Sequence, residues 1–122
     1  MADEISIKMS IKVEKNGAVY ERHTDFKDDM TGDAWTTGIV DVTASGVQLT
    51  DLDVGSYGWI FVKNLSTTGA YVDIQHVQNT PANNICRLYS GEAALFKHTT
   101  TGALWGDSSS GTQSVEYAII EL

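Results

Sequence analysis

The sequence predicts an all-β fold: a single jelly-roll-like β-sandwich domain over residues 1–122, with about eight or nine short strands. Three observations predict it. Apolar residues recur with period two along much of the chain, small polar and glycine clusters separate these runs, and no stretch carries a helical period. A chain of 122 residues is long enough to bury one core, and 42% hydrophobic with 20% charged residues is an ordinary globular balance.

The first element is the most regular. Ile5, Ile7, Met9, Ile11 and Val13 alternate with Ser6, Lys8, Ser10, Lys12 and Glu14, which marks a strand with one apolar face. Asn16-Gly17 then supplies a two-residue type I′ turn, because both central positions need positive φ. The turn sets the register of an N-terminal hairpin over about 5–25. Val13 faces Tyr20, Ile11 faces Arg22 and Ile7 faces Phe26 on the apolar side. Lys12 faces Glu21 and Lys8 faces Asp25 on the other, so opposite charges meet in a register chosen for a different reason. Arg22 fits the apolar side least well unless its stem snorkels.

Residues 25–35, DFKDDMTGDAW, break the alternation and read as an acidic loop, followed by a short strand around 39–42 and a second loop through SGVQLTDLDVGS. In 57–65, Trp59 and Phe61 point one way while Ile60 and Val62 point the other, which predicts a strand covered on both sides. Further strands are expected at 70–76, 85–89, 93–98, 103–105 and 115–122.

The formal net charge of −8 repels a phosphate backbone and argues against nucleic-acid binding. No run approaches the ~20 apolar residues of a membrane span, and the amino terminus lacks the basic start and apolar core of a signal peptide. Synthesis in a cytoplasm is the expectation, with no membrane partner. The Asn64-Leu65-Ser66 sequon then reads as chance. Cys86 is the sole cysteine, so no intrachain disulfide forms, and the residue reads as a small buried hydrophobe.

Chemistry is hard to find. His23, His76 and His98 are dispersed without ligand spacing. Asp25, Asp28, Asp29 and Asp33 form the only carboxylate cluster, with irregular spacing and Lys27 inside it, unlike a calcium loop. Glu92, Glu116 and Glu121 offer a glycosidase pair only in the sense that any acidic β-protein does. No Gly-x-Ser-x-Gly elbow and no phosphate-binding glycine loop occur. Trp59 and Trp105 read as core, and Trp35, in a polar loop, as the exposed aromatic. No catalytic residue, cofactor or metal is expected.

The second half carries an order of short motifs: YGWIFVKNLSTTGAYVDI, then SGEAALFKH, then ALWGDSSSGTQSVEYAIIEL. This order resembles that of small tailed-phage virion proteins of the β-sandwich capsid decoration, or cement, type. The resemblance covers residues 57–122 well and 5–25 loosely. Gly58, Asn64 and Leu65 match its hairpin motif, and Gly91, Glu92, Ala94, Leu95 and Phe96 match the later one, as fold-determining positions. It implies a non-enzymatic virion protein on the outer capsid surface, with the major capsid protein of the assembled shell as partner. It also implies a homo-oligomer such as a trimer. Neck, tail or fibre placement fits the same order, and a carbohydrate- or receptor-binding module using Trp35 or Trp105 is a further alternative.

The expected partner contact is the loop from Lys27 to Trp35 with the first residues of the chain: Met1, Ala2, Asp3, Asp28, Asp29, Met30, Asp33 and Trp35. Trp and Met favour interface centres, and the surrounding carboxylates would steer the loop toward a basic patch. The competing expectation for Trp35 is a core plug folded back onto the sandwich.

Overall fold

A computed structural model describes residues 4–50, 54–98 and 103–122. The chain is all-β and divides into two compact units, Met1–Thr31 and Gly32–Leu122, where the sequence reading drew one domain.

The first unit is the hairpin. β1 (Ile5–Lys15) and β2 (Ala18–Asp28) pair antiparallel in the expected register, Val13 opposite Tyr20, Ile11 opposite Arg22 and Ile7 opposite Phe26. The turn is as the dipeptide requires, with φ of 53° at Asn16 and 83° at Gly17. β2 runs on to Asp28, so the acidic run begins inside the strand rather than in a loop. On the polar face His23 Nε2 lies at hydrogen-bond distance, 2.9 Å, from Glu21 Oε2, two residues along its own strand. Arg22 does snorkel: its Nη1 donates to the Glu21 carbonyl at 2.8 Å, and its guanidinium lies 4.8 Å from the Tyr20 ring centre.

The second unit is a two-sheet sandwich. Its strands are β3 (Trp35–Val42), β4 (Val47–Leu49), β5 (Tyr57–Asn64), β6 (Val72–Gln75), β7 (Asn84–Leu88), β8 (Ala93–Lys97), β9 (Leu104–Ser108) and β10 (Gln113–Glu121). One sheet has the order β3-β10-β5-β8 and the other β4-β9-β6-β7. The pairings β3 with β10, β4 with β9, β5 with β8 and β6 with β7 are those of one long antiparallel ribbon. Rolling that ribbon up brings β10 beside β5 and β9 beside β6, which is jelly-roll connectivity.

Two elements differ from expectation. β4 lies inside the second expected loop. Three residues are too few to show a period, and the strand exists because it pairs with β9 and fully buries Leu49. β3 begins at Trp35, not near Ile39, because Thr36 and Thr37 extend the ladder against β10.

Between the sheets, Val42, Leu49, Ile60, Val62, Val72, Ile74, Leu104, Val115 and Ile119 are all fully buried. The matched motif positions do structural work beside this core. Asn64, fully buried, donates from Nδ2 to the carbonyls of Ala70 (3.1 Å) and Leu88 (3.0 Å) and accepts the Ser66 N–H at Oδ1 (2.9 Å). Its own carbonyl accepts Gly91 N–H at 2.9 Å, while the Glu92 side chain accepts Tyr89 N–H at 2.8 Å and closes the β7–β8 turn. Gly58 allows the chain terminus to pass close by. A Cβ there would run into the Leu122 side chain and lie 2.9 Å from the Ile120 carbonyl oxygen.

Candidate interaction surface

Side chains that share a row across the sheet also share a face. On the inner face of β5, Ile60 and Val62 are fully buried. The outer face carries Trp59, Phe61 and Lys63, all half-buried. The expectation of a strand covered on both sides is therefore corrected: the second sheet covers one face only.

The registers extend that outer face across four strands. Thr37, Ala118, Phe61 and Leu95 form one row, and Ile39, Glu116, Lys63 and Ala93 the next. Trp35 stands opposite Ile120, and Trp59 opposite Lys97, whose ammonium lies 5.7 Å from the indole centre. Trp35 and Ile39 are the most exposed large apolar residues described, at 64% and 66%. The sheet thus presents aromatic and aliphatic side chains to its outside, which is unusual on a free surface.

The expected contact residues fall in different places. Asp28, Asp29 and Met30 close the first unit, all half-buried. Asp29 N–H donates to Asp28 Oδ1 at 3.0 Å, and Met30 N–H to Glu4 Oε2 at 3.4 Å. Asp33 and Trp35 open the second unit, both exposed. Trp35 is neither a loop residue nor a core plug: it is the first residue of β3, with its ring on the outer face. Met1, Ala2 and Asp3 lie outside the described residues.

The residues that sequence reasoning missed are Ile39, Phe61, Leu95 and Ile120. The signal for Phe61 was present in the doubly apolar β5, which was assigned to coverage within the chain; the other three join it only through the strand pairing. Trp59 and Trp105 are likewise half-buried outer-face residues, not core.

Titratable groups elsewhere are engaged in structure. On the outer face of the second sheet, Arg87 holds nearly buried Asp73 through two bonds, Nε to Oδ1 at 2.7 Å and Nη2 to Oδ2 at 3.1 Å. Its guanidinium also stacks 3.9 Å from the Tyr71 ring centre. The bond to Asp73 raises the Arg87 pKa further, so the guanidinium stays charged. Burial, then Asp73, pushes the Cys86 thiol up to about 11, which makes it a poor nucleophile. Burial, then the neighbouring Asp73, also raises Asp107. Burial, then His76, lowers His98.

Glu121 is held below the usual carboxylate range, chiefly by the Gly55 N–H and against some desolvation. Its Oε2 accepts Gly55 N–H at 3.0 Å, and its Oε1 accepts Asp33 and Ala34 N–H at 3.2 Å each. Among the described residues, no group of three or more His, Cys, Asp or Glu side chains is placed to hold a metal ion. Comparison with protein families, with curated proteins and with solved structures gave no match.

Proposed function

We propose that this chain is a non-enzymatic structural protein of a tailed-phage virion, a capsid decoration protein that binds and stabilises the assembled head. The observation that carries the reading is Trp35, an indole 64% exposed yet fixed on a strand, with acidic Asp33 just before it. A rigid aromatic anchor costs little conformational entropy on binding and suits a protein surface. The motif order supports the same reading, because Asn64, Gly58 and Glu92 hold a jelly-roll scaffold and leave function to its surface.

In this reading the partner is the major capsid protein of the completed shell, and the chain acts on the outer capsid surface without cofactor or chemistry. Binding only the assembled state stabilises it by about 2.7 kcal/mol per site when free protein is ~100-fold above Kd. The test compares heads carrying the protein with heads stripped of it. Decorated heads should rupture at higher temperature and resist osmotic shock better, and equal failure would refute the stabilising role.

The exposed indole also suits stacking on a sugar ring, the chemistry of a receptor-binding module. A glycan array separates the two: retained glycan binding that Trp35→Ala abolishes, with no affinity for shells, would favour that module. Few copies per particle, confined to neck, tail or fibre, would place the chain there instead.

A further inference from the structure

β2 presents a long, regular edge. Its register against β1 runs unbroken from Ala18 to Asp28, with no bulge and no proline, and every residue but Asp28 is exposed. Among the described residues, the hairpin sheet holds β1 and β2 alone. A two-stranded ribbon is at best marginally stable in water, and independent stability takes three or more strands that share an apolar face. Here that face includes Ile11, Val13 and Tyr20, all exposed. An edge of this kind is a template for a further strand.

The turn determines which groups line that edge. Around a two-residue turn the flanking residues, Lys15 and Ala18, exchange both hydrogen bonds. Even-numbered residues of β2 therefore bond to β1, and Val19, Glu21, His23, Asp25 and Lys27 turn their N–H and C=O outward. The Arg22 side chain agrees, because its Nη1 caps the Glu21 carbonyl at 2.8 Å. Charge decides which strand fits. An antiparallel copy of β2 must match the outward residues with one another, since they also share one face. Centred on His23, the match sets Glu21 against Asp25, and centred on Arg22 or on Asp25 it sets that residue against itself. Centred on Thr24, Glu21 meets Lys27 and His23 meets Asp25, each twice, over residues 20–28. A centre at Phe26 pairs Asp25 with Lys27 but overlaps only residues 24–28. The outer edge of β1 offers less: centred on Ser10 it sets Lys8 against Lys12, and centred on Ile11 it matches only Lys8 with Glu14.

We propose that the hairpin pairs edge to edge with the hairpin of a second copy, β2 against β2 antiparallel about a twofold axis at Thr24, to give one sheet in the order β1-β2-β2-β1. Lys27 N–H of one copy donates to the Glu21 carbonyl of the other, and Arg22, released from that carbonyl, falls opposite Phe26 of the other copy. Charges then alternate along a row across the sheet, from Lys12 to Glu21 to the other copy's Lys27. The contact uses the same edge on both copies, so it closes at two. It forms between free copies with no shell present, and therefore stands apart from the virion reading.

The test is amide hydrogen exchange of the purified chain, residue by residue over a concentration series, with its mass from sedimentation at each point. The protein should become a dimer as concentration rises, and the amides of Glu21, His23, Asp25 and Lys27 should slow together by about tenfold or more. Those of Ser10 and Lys12, on the outer edge of β1, should not change. A cross-link reads the register. At the axis Thr24 faces Thr24 as a pair without mutual hydrogen bonds, with Cα atoms about 4.5 Å apart, which a disulfide spans. In a Cys86→Ala background, Thr24→Cys should oxidise to a covalent dimer, and Met9→Cys, at the position opposite it on β1, should not. The exchange measurement needs no variant, so it decides even where a cysteine variant misfolds. A monomer at every concentration would overturn the proposal. So would protection of Ser10 and Lys12 in place of β2, protection of Asp25 and Lys27 without Glu21, or equal cross-linking at both sites.

Discussion

Asn64 satisfies three hydrogen-bonding partners with one buried side chain, joining β5 to the loop after it and to the end of β7. Asn64→Ala strands two buried carbonyls and an N–H, and should cost about 2–4 kcal/mol in chemical denaturation. Gly58→Ala should destabilise by about 1–3 kcal/mol through overpacking against Leu122 and the Ile120 carbonyl. Glu121 gives a pH signature. Its folded-state pKa is lowered, so its contribution is full above the unfolded carboxylate pKa and is lost as pH falls through the folded value. Glu121→Gln should therefore lower stability at neutral pH and flatten the acid limb of a stability–pH curve. An unchanged acid limb would show that the latch on Gly55, Ala34 and Asp33 contributes nothing.

At the scale of elements, β3 separates surface function from scaffold. Trp35→Ala should leave thermal stability within about 0.5 kcal/mol, as for other exposed sites, while weakening shell binding. A loss of several kcal/mol in the isolated protein would instead put the indole in the core. The same strand shows what the sequence could and could not convey. The hairpin's register was legible to the residue, because Asn16-Gly17 fixes it and alternation then confirms it, although the run of β2 on to Asp28 was not. β5 was legible as a strand but not in its surroundings. A doubly apolar strand looks the same whether its second cover is another layer of its own fold or another molecule. β4 was illegible because its pairing with β9 joins segments far apart in sequence, and three residues carry no period. The start of β3 was missed for a related reason: polar Thr36 and Thr37 lack a hydrophobic pattern, and it is β10 that recruits them.

At the scale of the whole molecule, the proposed decoration role makes predictions about charge and placement. The ribbon of β3 to β10 rolls into a two-sheet sandwich with its apolar core between the sheets. The acidic sandwich should make early association with a basic patch on the shell salt-sensitive, with on-rate falling as ionic strength rises. Stopped-flow mixing with stripped heads at two salt concentrations measures that dependence. The claim that matters most is where the chain sits and in what number, and a cryo-EM reconstruction of the intact virion measures both together. The account predicts sandwich density repeated over the outer surface of the head lattice, with the start of β3 against the capsid protein. Density confined to the neck, tail or fibres, or none on the particle, would contradict it.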